Sequence, residues 1–378
     1  MKRLTVVQVL PALESGGVER GTLELSRYLV AHGHRSIVIS AGGGLVNALE
    51  KNGGEHQSWN IGRKRPWTLV LIPRLRRFLT ENRVDILHAR SRMPAWVCYL
   101  AWRGMPPTQR PRFVTTVHGL YSVNRYSKVM CKGERVIAVS GTVEDYIRQR
   151  CPETSPERIA LIPRGVDPNE FPRGYQPSNE WLAGWRADHP ELAGKRVLLL
   201  PGRITRLKGH EPFIRLIRTL VDMEMPVHGL IVGGAHPSKQ AYLRELQTLV
   251  QSLALTKHIT FAGQRSDLKE IMATCDLVLS LSTKPESFGR TTLEALSLGL
   301  PLAGYDHGGV GEILGEIYPQ GKVKLNDADD LFRVVTTLLG QHQPAGHAGS
   351  KNPFTLQRML LATTTLYQDL VDTKATGT

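Results

Sequence analysis

The chain has 378 residues, 41% of them hydrophobic and 22% charged, the make-up of a globular protein rather than a disordered or fibrous one. That length exceeds what one hydrophobic core usually organises, so two domains are expected. Lys and Arg outnumber Asp and Glu by 48 to 34, and no apolar run approaches the ~20 residues of a membrane-spanning helix. The N-terminal "MKRLTVVQVLPALESGG" starts basic, but its apolar run breaks at Pro11, unlike a signal peptide; it is read as a first strand in a cytoplasmic protein. Cys98, Cys131, Cys151 and Cys275 lie far apart and form no Cys-x-x-Cys pair. That spacing points away from a zinc site or a disulfide framework and toward four buried thiols.

Along the chain, "TVVQVL", "SIVIS", "VDILHA", "FVTTVHG", "RVIAVS" and "IALIP" are short β-rich runs separated by helical stretches. Near-continuous apolar strands between helices predict a parallel sheet covered on both faces. The pattern repeats with "RVLLLPG", "HGLIVGG", "HITFAG", "LVLSLS", "PLAGYD" and "GKVKL". The fold class is therefore α/β, with two Rossmann-like, doubly wound domains facing a central cleft. The domains span 1–166 and 195–350, a Pro-, Gly- and Trp-containing connector spans 167–194, and a last helix runs over 351–373 from an Asn352 cap and Pro353.

In doubly wound sheets ligands sit beyond the carboxyl ends of the strands, so the loops that follow strands are where chemistry is expected. "SGGVERGTLEL" passes through Gly16 and Gly17 into a helix whose free N–H groups suit an anion, although glycine turns there also serve structure alone. "PGRITRLKGH" sets Arg203 and Lys208 just past a strand. Together they would clamp a diphosphate, or they form an ordinary basic turn. "STKPESFGRTTLEAL" places Glu286 before a helix and Glu294 inside it among apolar neighbours, where a buried carboxylate needs a partner; a ribose diol would serve. Amides from Ser287 to Arg290, including those of Phe288 and Gly289, would face phosphate. "YDHGGVGEIL" offers a second close-approach loop at Gly308 and Gly309. Arg90 and Arg92 in "HARSR", with His118 and Tyr121 in "HGLYS", are candidate contacts for an anionic acceptor. Asp327 and Asp329 have the spacing of a metal-binding pair, but they precede a helix, where capping is the ordinary role. No GxGxxG or Walker A loop occurs, which counts against a dehydrogenase or an ATPase.

Between positions 60 and 112 twelve Lys and Arg face only Glu81 and Asp85. Such a run is either a solvated face or a surface for an anionic partner: lipid headgroups, a phosphorylated acceptor or nucleic acid. "WTLVLIPRLRRFL", with Trp67, Arg74, Arg76 and Arg77, suits an anionic bilayer or the basic edge of a buried helix. Few aromatics are interleaved for base stacking, so nucleic acid is not expected as a partner.

In order, the Gly16–Gly17 loop, His118–Gly119, "IPRGVD" at 162–167, "GRITRLKG" at 202–209, the E-x7-E element Glu286 to Glu294, and "GGVGE" at 308–312 resemble the retaining, GT-B fold glycosyltransferases of family 4. The resemblance covers nearly the whole chain. It implies a nucleotide-diphospho-sugar donor bound mainly by the second domain, with a glycan or lipid-linked acceptor on the first. Arg203 and Lys208 would hold the diphosphate, Glu286 the sugar, Glu294 the ribose, and Gln264 and Arg265 in "FAGQRSDL" the base. His118 would lie near the donor sugar, with Gly16 and Gly17 across the cleft. It implies no bound metal and no cofactor, and a final helix crossing back to the first domain. The wording "LPALESGGVER", "HARSR" and "IPRGVD" resembles bacterial lipopolysaccharide and surface-glycan enzymes, placing the protein in the cytoplasm, on or near the inner membrane. Arg164 stands where many relatives have Asn, and Ser287 where Gly is frequent; both bear on donor choice. Rival readings are a GT-B sugar-nucleotide epimerase and an anion- or nucleic-acid-binding protein.

Overall fold

A computed structural model describes residues 2–14, 16–122, 124–340 and 352–376. The chain divides into two compact units, Met1–Arg164 with Leu356–Thr378, and Gly165–Thr355. The first holds a seven-stranded parallel sheet built from β1 (Thr5–Val9), β2 (Arg35–Ser40), β3 (Glu55–Ser58), β4 (Ile86–Ala89), β5 (Arg112–Val117), β6 (Arg135–Ala138) and β7 (Ile159–Leu161), in the order β3-β2-β1-β4-β5-β6-β7. The second holds β8 (Arg196–Pro201), β9 (Val227–Val232), β10 (Ile259–Gly263), β11 (Leu277–Ser280), β12 (Leu302–Tyr305) and β13 (Lys322–Val323), in the order β10-β9-β8-β11-β12-β13, also all parallel. Both are Rossmann-like, doubly wound sheets, and their apolar runs are buried because helices cover both faces.

Strand order reverses at β1/β4 in one sheet and at β8/β11 in the other. Register is set there by apolar pairs such as Val7 against Leu87 and Leu198 against Leu277. Each reversal leaves a crevice at the carboxyl ends of two adjacent strands. The edge strand β3, "EHQS", has no apolar residue to mark it; it pairs with β2 alone and carries an ion pair from Arg35 to Glu55 at 2.6 Å.

Residues 167–194 belong to the second unit and include the helix Asn179–Asp188, capped by the Ser178 hydroxyl. The final helix begins at Leu356, not at the expected Asn352–Pro353, because the Asn352 side chain turns back to accept from the Phe354 N–H and Thr355 bridges to Val166 first. It packs Leu356, Met359, Leu360, Leu370 and Val371 against Leu4, Val6, Leu25 and Leu29 of the first unit. Tyr367 in the same cluster is fully buried, its hydroxyl 2.6 Å from His88 Nδ1, while His88 Nε2 lies 2.6 Å from the Thr116 hydroxyl. Burial, then the charge of Arg90, holds the His88 pKa well below the ordinary imidazole value, so it is neutral.

The expectation of four free thiols is wrong at two positions. Cys131 and Cys151 form a disulfide, while Cys98 and Cys275 are free and buried. The partners close the turn Ser127–Cys131 and the helix Gly141–Arg150 on either side of β6, which brings their Cα atoms to 6.5 Å despite 20 residues of separation. No helix among the described residues is long and apolar enough to cross a membrane.

Replacing Tyr367 with Phe leaves a buried imidazole nitrogen without its partner. The expected loss is about 1–3 kcal/mol, read as a lower thermal midpoint; an unchanged midpoint would show that this bond does not secure the final helix.

Candidate active site

At the β8/β11 reversal the loop after β8 carries Arg203 and Lys208. Gly209, with φ 73°, sits so close to β11's exit that a Cβ would lie 2.0 Å from the Leu281 carbonyl oxygen, so only glycine lets the loop dock there. Docking sets Lys208 Nζ 2.6 Å from Glu286 Oε1, and the Ser282 hydroxyl donates to the same oxygen. His307 Nε2–H donates to the Ser282 carbonyl at 2.6 Å. Burial alone would raise the Glu286 carboxyl, but the Lys208 charge and hydrogen bond, with Ser282 and His307, outweigh it and hold the pKa below the usual value. Arg203 on the same loop is exposed.

Gly308 and Gly309 have a different use from the one expected. A Cβ at Gly308 would meet the Glu286 backbone at 2.8 Å and one at Gly309 the Phe288 backbone at 2.3 Å, and the Gly309 N–H donates to the Glu286 carbonyl at 2.8 Å. Their close approach is therefore to the Glu286 loop, which they brace. Phe288 is buried edge-on against Phe354, so its ring is taken up by packing. Ser287 is half-buried, and Gly289 caps the helix Arg290–Leu298 with φ 93°. Glu294 is 7% exposed, as its apolar surroundings imply, but it already has a protein partner: Arg290 Nε donates to Oε1 at 2.9 Å from one turn earlier. A ribose diol is thus not required to satisfy it. Among the residues read as base contacts, Gln264 lies over Gly234 and Arg265 is committed to Asp267 through bonds of 2.9 and 2.6 Å. Asp327 caps its helix by accepting from the Asp330 N–H at 2.9 Å.

In the first unit, Gly16 and Gly17 start the helix Gly17–Ala31 after β1, and a Cβ at Gly17 would meet nothing within 4 Å. Arg164 lies flat on Gly21 of that helix and donates to the Gly17 carbonyl. His118, Tyr121 and Arg92 form one cluster: the His118 N–H donates to the Tyr121 hydroxyl at 3.2 Å, and the Arg92 guanidinium sits 4.8 Å over the Tyr121 ring. Burial, then the charges of Arg90 and Arg164, hold the His118 pKa well below the ordinary value. It serves as a neutral hydrogen-bonding group, not as a cation. Arg90 does not share the exposure expected of an acceptor contact: it is 4% exposed and donates to the buried Gln8 side chain at 2.7 Å.

Ser282, His307 and Gly21 lie within the quoted loop stretches but are not singled out there. Ser282 and His307 each follow a strand by two residues, the only sequence signal they carry.

Two doubly wound units with all-parallel sheets, each with charged loops at its strand-order reversal, are the architecture of the GT-B fold. Residues 15–170 match the model of Glycosyltransferase Family 4 and residues 184–349 that of Glycosyl transferases group 1. The chain belongs to this family of glycosyltransferases. It is 29% identical to a glycosyltransferase from Rickettsia africae ESF-5, with a TM-score of 0.86 over 98% of this chain and 99% of that one. Anabaena HepE, crystallised with UDP and glucose, has the same fold at 20% identity and a TM-score of 0.79, over 97% and 100% of the two chains. The N-acetyl-alpha-D-glucosaminyl L-malate synthase of Bacillus anthracis is 24% identical over 327 residues, 83% of this chain and 81% of that one.

Because Lys208 overcomes burial at Glu286, Lys208→Met should reverse the pH response. In the native protein the lowered carboxyl pKa adds stability that is present above the unfolded value and lost as pH falls through the folded one. In the variant burial dominates, the carboxyl titrates above its unfolded value, and this contribution falls as pH rises. Thermal midpoints of both proteins across about pH 3–7 should diverge; parallel curves would remove Lys208 as the cause.

Proposed function

We propose that the chain transfers a sugar, with retention at the anomeric carbon, from a nucleotide-diphospho-sugar to a glycan or lipid-linked acceptor in surface-polysaccharide assembly. The observation that carries the reading is the Lys208–Glu286 pair at the β8/β11 reversal, with exposed Arg203 on the same loop. Diphosphate leaving a sugar accumulates negative charge, and fixed cations beside it lower that barrier most when they are already in place. Glu286 holds the Lys208 ammonium in position, and its second oxygen can accept from sugar hydroxyls. The turn from Ser287 to Gly289 precedes a helix whose free amides favour phosphate.

In this mechanism the acceptor hydroxyl enters on the face from which diphosphate departs, and a departing phosphate oxygen takes its proton. The carbon–oxygen bond to diphosphate breaks as the bond to the acceptor oxygen forms. Arg203 and Lys208 supply the positive charge that stabilises the leaving group. Neutral His118 offers a hydrogen bond to sugar or acceptor without adding charge. Exclusion of water limits loss of the donor to hydrolysis. The surface-glycan assignment is supported by the wording of the "HARSR" and "IPRGVD" segments.

A thermal-shift screen of UDP-, GDP- and ADP-sugars tests donor binding, since a ligand at ~100 times its dissociation constant stabilises by about 2.7 kcal/mol. Arg203→Ala and Lys208→Ala should each lower turnover by about 10²–10³. Unchanged turnover in both would overturn the diphosphate assignment. Labelled donor incubated without acceptor should remain unaltered; release of a free epimerised donor would place the protein among epimerases instead.

A further inference from the structure

The apolar, basic run after residue 60 folds differently from a single amphipathic helix. Within the helix Leu71–Glu81, Leu75 and Leu79 are buried, and Arg76 turns inward to the Leu100 and Ala101 carbonyls at 3.1 Å each. The exposed apolar surface lies one step earlier, on the 3-10 turn Pro66–Val70, where Trp67 is 65%, Leu69 48% and Val70 69% exposed. The other strongly exposed large apolar side chains among the described residues stand singly: Leu161, Leu207, Met223, Leu325 and Leu361. Three within four residues are a patch, and patches of this kind on a folded surface mark an interaction site. Thr68 between them is buried; its hydroxyl donates to the Arg63 carbonyl at 2.7 Å and its N–H to that of Arg65 at 2.9 Å, so the turn is held in shape.

Cations surround the patch. Arg63, Lys64, Arg65 and Arg74 are all exposed, and no acid occurs between positions 60 and 80; Arg77, also exposed, pairs with Glu81 at 2.6 Å. Arg65 reaches over the Trp67 ring at 6.0 Å, and Arg74 over Trp59 at 4.4 Å. An indole flanked by aliphatic side chains and ringed by guanidinium and ammonium groups matches the layers of a bilayer surface: acyl boundary, headgroup, phosphate. A nucleic-acid strand would leave Leu69 and Val70 in water.

We propose that Trp67, Leu69 and Val70, with Arg63, Lys64 and Arg65, dock this unit onto a bilayer containing anionic phospholipid. The apolar side chains enter the headgroup–acyl boundary and the cations meet phosphate. The proposal stands apart from the donor assignment, because none of these residues belongs to the proposed sugar-transfer machinery.

Co-sedimentation of the full chain with phosphatidylcholine vesicles, with and without phosphatidylglycerol, tests it at low and at physiological salt. Binding should require phosphatidylglycerol and weaken with salt. Trp67→Ser with Val70→Ser should weaken it at least about tenfold, and Arg63, Lys64 and Arg65 each changed to Glu by about fivefold or more. Thermal midpoints should stay at the native value in all variants, because the side chains are exposed. Equal binding to neutral vesicles, no binding to anionic ones, or undiminished binding by the folded variants would overturn the proposal. So would sedimentation showing a native dimer that Trp67→Ser converts to monomer, which assigns the patch to a second copy of the chain.

Discussion

Seventy-eight positions separate Lys208 from Glu286, and adjacency of two parallel strands sets their side chains 2.6 Å apart. In a parallel sheet all strands deliver their following loops to one end, so β8 and β11 release their chains side by side although β9 and β10 intervene in sequence. The reversal of strand order also leaves the two exits uncovered by a crossover between them. Everything in the second unit's site hangs on this. The loop from β8 docks through Gly209, the loop from β11 is braced by Gly308 and Gly309, and the carboxylate and ammonium meet where both are held.

Holding both charges there is a balance of opposed effects. Desolvation favours the neutral carboxyl, while the ammonium and the Ser282 hydroxyl favour the anion and prevail. The first unit has no such balance around His118, where burial and the charges of Arg90 and Arg164 all act in one direction. One unit thus presents a charged pair and the other an uncharged imidazole.

Buried strands were legible because a strand covered on both faces can carry almost nothing but apolar residues; β1, β2 and β4 through β13 all fall on the predicted runs. The edge strand β3 was not, because "EHQS", unlike the edge strands β7, β10 and β13, holds no apolar residue to distinguish it from a loop. The loops expected to carry chemistry followed from the strands: Arg203, Lys208 and Glu286 lie just beyond strand ends, and Glu294 lies in the helix that follows. Partners across the fold were harder. That Arg290 satisfies Glu294, and that Ser282 donates to Glu286, was available from a four-residue spacing in each case, whereas His307 reaches the Ser282 carbonyl only through the sheet. The Cys131–Cys151 bond was hidden for the same reason: sequence spacing says little when a strand and a helix lie between two residues that the fold returns to one place.

The basic excess between positions 60 and 112 shows why a charge count cannot be read as a surface. Arg76 closes the carbonyl end of a helix, Arg90 is buried on Gln8, Arg92 stacks on Tyr121, and Arg112 pairs with Glu134 at 2.6 Å. Each is consumed by structure, and a buried guanidinium stays charged because its proton is held so strongly. Arg63, Lys64, Arg65 and Arg74 remain outside, close in sequence to the exposed turn at Trp67. The run is therefore not one surface, and only the fold separates the residues built into structure from those left outside. The same sorting distinguishes Arg164, laid against Gly21 in the interior, from Arg203, exposed beside the Lys208–Glu286 pair. An arginine whose donors are taken by carbonyls fixes the backbone, and one left facing solvent at a strand end is free to meet an anion.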